Sequence, residues 1–151
     1  LCWGAQKPAI GVSTLAAMAW NGVAAGEGSI ICCCMDARRQ QVYNALFEIR
    51  DGRPVRLVPD RALSVEELAP ELEKYEKRVF LVGDGARLCY NLLGGLGGES
   101  TLAPEPLVQQ SAYGVCRAAE TEKAAPASEL LPVYLRLSQA ERERQARLAN
   151  S

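Results

Sequence analysis

The chain has 151 residues, 48% of them apolar, and carries 17 Lys and Arg against 18 Asp and Glu for a net charge of −1. That is enough apolar chain to bury one sizeable core, which excludes a disordered protein. The balanced charge argues against a chain that grips nucleic acid by itself, because phosphate neutralisation calls for a basic face.

No apolar run approaches the roughly 20 residues that span a bilayer, and no leader pattern of basic start, apolar middle and small-residue cleavage site is present, so a cytoplasmic location is expected. Leu1 to Gln6 reads as the last turns of a helix that begins before the chain does, ended by Lys7-Pro8. Ala9 to Val12 is expected as a short strand, with Ser13 or Thr14 capping a small apolar helix from Leu15 to about Trp20. Asn21-Gly22 offers a stop, and Ala24 to Gly28 a loop.

Ile30, Ile31, Cys32, Cys33, Cys34 and Met35 form a continuous apolar run, and Gln41 to Ile49 a second. Their β-branched and aromatic content and short bounded length favour two strands joined by a hairpin around Asp36 to Gln40. Asp51-Gly52 marks another tight reversal, since glycine accepts the positive φ that such turns need. Pro54 to Val58 then completes a three-stranded antiparallel meander.

Ser64-Val65-Glu66-Glu67 is a capping box, and Val65, Leu68, Leu72 and Tyr75 share a helical face with a kink or restart expected at Pro70. Arg78 to Val82 is a short buried strand, and Gly83-Asp84-Gly85-Ala86 turns it into a helix that Asp84 would cap. Gly94 to Gly98 ends that helix and Ser100 to Ala103 forms a short edge strand. Pro104-Glu105-Pro106 opens a further helix whose buried line is expected to be Val108, Ala112, Val115, Cys116 and Ala119, with Gly114 inside it. Ala124 to Ala127 reads as a loop, Leu130 to Leu137 as an extended segment, and Ser138 with Glu141 as the cap of a polar, solvated last helix carrying a Glu143–Arg147 pair.

Four segments carry a resemblance. Met35-Asp36-Ala37-Arg38-Arg39-Gln40-Gln41-Val42-Tyr43 resembles the "DARRGEVY" hairpin of the TsaB (YeaZ) family, the non-catalytic subunit of bacterial tRNA threonylcarbamoyladenosine synthase. Lys7 to Leu15 is similar to that family's "KPxxGVSTLEAL" segment, Gly83 to Ala86 to its "GDGA" turn, and Leu131 to Arg136 to its "LxPxYLR". The resemblance implies an α/β fold: a ribonuclease-H-like lobe of the actin-like ATPase superfamily, with a mixed sheet containing the meander and flanked by helices. It implies three regions, with 1–28 as the tail of a crossover from an N-terminal lobe outside the chain, 29–137 as the second lobe and 138–151 as a polar tail. It further implies a scaffold that orders a catalytic, TsaD-like paralogue, works with a TsaE-like ATPase, forms a homodimer through the other lobe and meets tRNA only indirectly. No catalytic residue, cofactor or metal is assigned to it.

In the superfamily a glycine-rich hairpin at the start of the second lobe approaches nucleotide phosphates, because only glycine lets backbone amides come so close. Here that turn holds Ala37, Arg38 and Arg39 instead. Asp36 pairing with Arg38 or Arg39 to hold the turn is the favoured reading. The competing one is a nucleotide site built from Asp36, Arg38, Arg39, Gly83, Asp84 and Gly85, since arginine can bind phosphate through its side chain. An older glycoprotease description of this branch asks for histidine or cysteine ligands around an open metal position. The chain has no histidine, and Cys32, Cys33 and Cys34 point to alternate faces of one strand, as buried small hydrophobes would.

Overall fold

The computed structural model describes residues 1–92, 100–136 and 147–148. Hydrogen-bonded turns fill the first residues, with Ala5 N donating to Leu1 O and Lys7 N to Cys2 O. The strand expected at 9–12 shrinks to β1 (Pro8–Ala9), which pairs antiparallel with β7 (Ala125–Pro126), so the stretch read as the Ala124 to Ala127 loop also supplies a strand.

Helix α1 (Thr14–Ala19) starts at Ser13, whose Oγ accepts from Ala16 N and donates to Asp60 Oδ2 at 2.5 Å. It does not stop at Asn21-Gly22 but tightens into a 3-10 helix over Trp20–Ala25. Both residues serve packing. Asn21 is buried and its Nδ2 donates to Leu107 O and Gln109 O, while a Cβ on Gly22 would stand 2.6 Å from the Ile31 side chain.

The main sheet contains β2 (Ile30–Asp36), β3 (Gln41–Arg50), β4 (Arg53–Ser64), β5 (Val79–Val82) and β6 (Ser100–Leu102) in the order β4-β3-β2-β5-β6. The first three form the expected antiparallel meander, and β5 and β6 run parallel to β2. Strands β2 and β3 lack alternation because both of their faces are covered. On one face Ile30, Cys32, Cys34, Val42, Leu46 and Leu81 meet helices α2 (Val65–Leu72) and α3 (Ala86–Leu92). On the other, Ile31, Cys33, Ala45, Phe47 and Val82 meet Leu15 and Met18 of α1. Each large side chain so buried stabilises the fold by about 1.5–3 kcal/mol.

Strand β4 continues past Val58 and Pro59 to Ser64, with a register irregularity between Asn44 and Phe47 of its partner. Proline reads as a breaker in sequence, but β4 lies at the sheet edge, where the missing amide breaks no ladder. The capping box is present, with Ser64 N donating to Glu67 Oε2 at 2.8 Å and Glu67 N to Ser64 Oγ at 3.2 Å. Helix α2 runs on through Pro70 to Leu72 instead of restarting: only one amide bond is forfeited in the last turns, and Val65, Leu68 and Leu72 remain buried.

Helix α4 (Ala112–Ala119) begins at Ser111, after a separate 3-10 turn at Glu105–Leu107. Its buried residues are Gly114 and Ala118, whereas Ala112, Val115 and Cys116 are exposed. The contact face follows the smallest residue: a Cβ on Gly114 would run into the Ala17 carbonyl oxygen, so α4 lies directly on α1. Among the described residues no helix is long and apolar enough to cross a membrane. The Gly94 to Gly98 stop and the polar helix expected from Ser138 fall outside the described residues.

Glu48, buried in β3, is paired with Lys77 and Arg50. The hydrogen bond from Lys77, then that from Arg50, holds its carboxyl below the ordinary glutamate range. A depressed folded-state pKa gives stability that is present above the unfolded value of about 4.3 and is lost as pH falls through the folded value. Glu48→Gln is therefore expected to flatten the acid limb of a stability-versus-pH curve measured by urea unfolding from pH 7 down to about pH 3.

Candidate functional site

Strands β2 and β5 are parallel neighbours, so their C-terminal ends deliver the hairpin Asp36 to Gln40 and the turn Gly83 to Ala86 to the same end of the sheet. This is where open α/β sheets build ligand crevices. All six residues of the nucleotide reading, Asp36, Arg38, Arg39, Gly83, Asp84 and Gly85, lie on these two segments.

The two loops are tied to each other by hydrogen bonds. Asp36 N donates to Asp84 Oδ1 at 3.1 Å, and Gly85 N donates to Cys34 O at 3.1 Å. Asp84, expected as the cap of α3, thus reaches across to the end of β2. Gly83 has φ +109°, and a Cβ on it would run into the Cys34 carbonyl and stand 2.8 Å from Met18 Sδ. One on Gly85 would stand 2.9 Å from Asp36 N. Both glycines therefore make room for the backbone of β2.

The hairpin is held from within. Asp36 Oδ1 accepts from Arg38 N at 2.7 Å, so the aspartate pairs with Arg38 and holds the turn through that residue's amide. Ala37 N donates to Gln41 O and Gln41 N to Arg38 O, and Arg38, Arg39 and Gln40 have φ of 64°, 56° and 58°. Two central residues at positive φ are what a tight strand reversal of type I′ requires, a conformation that suits Asn and Gly and costs other residues roughly 1–2 kcal/mol each. The glycine of "DARRGEVY" falls at Gln40. Gln40→Gly is expected to stabilise the chain by about 1 kcal/mol, read as a higher urea midpoint at unchanged m.

Arg136 closes the segment that is similar to "LxPxYLR". Its Nη1 donates to Ala37 O at 2.9 Å, bringing a third arginine to the hairpin. Beside it, residues 10–15 and 129–136 enclose a groove of about 1010 Å³ floored by Met35, Tyr43 and Asp60. Leu131, Val133 and Tyr134 on its rim are exposed. Sequence periodicity gave no sign of this groove, because two extended segments distant in sequence form its walls.

Cys32, Cys33 and Cys34 are completely buried, and Cys32 Sγ lies 3.4 Å from Cys34 Sγ. The Cys32 contact and burial push the Cys34 thiol up, the Cys34 contact and burial push up that of Cys89, and burial pushes up that of Cys33. A raised pKa at Cys33, Cys34 and Cys89 favours the thiol over the nucleophilic thiolate. Among the described residues no group of three His, Cys, Asp or Glu side chains is placed to hold a metal ion.

The family described as "TsaD: tRNA N6-adenosine threonylcarbamoyltransferase" matches residues 1–142 of the chain. The tRNA threonylcarbamoyladenosine biosynthesis protein TsaB of Bacillus subtilis (strain 168) is 30% identical over 147 residues, which cover 93% of this chain and 61% of that protein. The chain thus spans about three fifths of the length of this curated relative. YeaZ from Pseudomonas aeruginosa superposes with a TM-score of 0.62 at 19% identity, over 89% of this chain and 62% of that one. A protein described as similar to peptidase YEAZ, from the same organism, gives 0.61 at 21% identity over 89% and 62%. These structural likenesses carry the ribonuclease-H-like fold, and the match over residues 1–142 carries the kinship: the chain belongs to the TsaD family, in its TsaB (YeaZ) branch.

Proposed function

We propose that the chain is the second lobe and lobe crossover of a scaffold subunit in the formation of threonylcarbamoyladenosine on tRNA. In this reading 1–28 is the crossover tail, 29–137 the lobe and 138–151 a polar tail. The subunit binds and orders a TsaD-like catalytic paralogue in the cytoplasm, alongside a TsaE-like ATPase, and can pair with its own copy through the other lobe. The observation that carries the non-catalytic role is the filling of the glycine turn. Where a phosphate cradle would keep Gly83 and Gly85 open to a ligand, the space beside them is taken by Cys34 O and Asp36 N.

The test is reconstitution. Purified catalytic paralogue, ATPase, adenylate-forming enzyme, threonine, bicarbonate, ATP and tRNA are combined with and without the full-length parent of this chain, and modified adenosine is read by mass spectrometry. Modification that requires the parent and survives Asp36→Ala supports the scaffold. Modification that proceeds equally without it, or a parent that does not co-elute with the paralogue, removes that role.

A second reading, a nucleotide-binding enzyme, is favoured by one observation: the hairpin and the glycine turn converge at the C-terminal ends of β2 and β5. Saturable ATP binding in calorimetry, lost in Asp36→Ala and Asp84→Ala, would establish it.

A further inference from the structure

Four arginines, Arg50, Arg56, Arg61 and Arg117, are paired with carboxylates. Arg53, Arg78 and Arg87 are not, among the described residues, and neither are the two at the hairpin tip. Arg38 and Arg39 are exposed and form no ion pair among the described residues. Asp36 Oδ1 accepts from Arg38 N and Asp84 Oδ1 from Asp36 N. The amides of Arg39 and Gln40 have no acceptor among the described residues. Arg136, anchored through Nη1 on Ala37 O, keeps the rest of its guanidinium for another partner. The tip therefore concentrates three guanidinium groups and two unused amide donors on a backbone whose left-handed run has a conformational cost.

We propose that this tip, Arg38 and Arg39 with Arg136 behind them, is a contact for the phosphate backbone of a folded RNA. The inference rests on the proposed role in tRNA modification and adds a direct contact to it. Shape decides between RNA and a free nucleotide. A mononucleotide is held in a concavity that buries most of its surface, whereas Arg38 and Arg39 stand on an exposed turn outside the groove that Arg136 borders, and the glycines behind the turn are packed against β2. A sugar-phosphate backbone needs no enclosure: guanidinium groups and free amides presented on a convex edge suffice. With a net charge of −1, the tip is one contact in a larger RNA-binding surface shared with partners.

The experiment measures binding of the full-length parent of this chain, in complex with the catalytic paralogue, to a labelled unmodified tRNA transcript by filter retention, over a salt series from about 25 to 200 mM. Arg38→Ala/Arg39→Ala is compared with wild type and with Arg53→Ala at the start of β4. Each lost phosphate contact lowers the slope of log K against log salt by about 0.7–0.9, so the double variant is expected to lose between one and two units of slope and about tenfold in affinity, whatever the tRNA sequence. Arg136→Ala loses about one unit, and Arg53→Ala none. Circular dichroism melting verifies that each variant is folded, and Arg38→Lys/Arg39→Lys retains most of the slope. Absence of RNA binding by wild type at about 50 mM salt, an unchanged slope in the double variant, or displacement of RNA by about 1 mM ATP overturns the proposal. Co-elution with the catalytic paralogue is scored separately: a double variant that keeps the paralogue but loses RNA supports the contact, whereas loss of the paralogue by wild type strikes the scaffold reading alone.

Discussion

Gly83→Ala is expected to destabilise the chain by roughly 4 kcal/mol, a large fraction of the 5–15 kcal/mol that holds a typical domain. Two effects add. At φ +109° an L side chain is strained by about 1–2 kcal/mol, and the new methyl meets the Cys34 carbonyl and, at 2.8 Å, Met18 Sδ. The carbonyl belongs to a strand hydrogen-bonded on both sides, so it cannot move without carrying β2 with it, and overpacking of this kind costs about 1–3 kcal/mol. A drop in melting temperature of about 10 °C is the readout. Gly52→Ala, also at positive φ but with no atom within 4 Å of the added carbon, isolates the conformational part. Equal losses in the two variants would show that the β2 contact carries none of the effect.

Asn44→Ala is the second large loss, about 3 kcal/mol. Asn44 is fully buried in β3, donates from Nδ2 to Cys33 O at 2.9 Å, and accepts at Oδ1 from Arg61 Nη2 at 3.1 Å. Arg61 in turn pairs with Glu71 of α2. Truncation strips a donor from a buried carbonyl and an acceptor from a half-buried guanidinium, each a penalty of about 1–3 kcal/mol. Arg61→Ala orphans the other end of the same link, so the double variant is expected to cost less than the sum of the two, with a coupling of about 1 kcal/mol. Strict additivity in urea unfolding would dissolve the network into independent contacts.

Local chemistry was legible where one residue type has one strong local use. The Ser64–Glu67 box, the Ser13 cap and the Asp51-Gly52 reversal follow from side-chain oxygens near free amides and from glycine at positive φ, with no help from the rest of the fold. The meander was legible because its strands are sequential. Features decided by distant partners were not. Pro59 hid the second half of β4, since its tolerance depends on lying at an edge. Hydrophobicity pointed to Val115 and Cys116 as the buried face of α4, while the closeness of α1 selected Gly114. At the candidate site the two loops could be named from sequence, but the direction of Asp84 toward β2 and the arrival of Arg136 from about 100 residues away could not.

The prolines of β4 have a consequence for behaviour in solution. Strand edges recruit other strands, and a long uncovered edge invites chain-to-chain growth of the sheet. The twelve-residue β4 lacks an amide at both Pro54 and Pro59 and carries Arg53, Arg56, Asp60 and Arg61 along its length. The opposite edge strand, β6, is only three residues long. An incoming strand therefore finds a broken row of donors on one side and too short a template on the other, which protects a protein with a largely apolar central sheet from edge-to-edge aggregation.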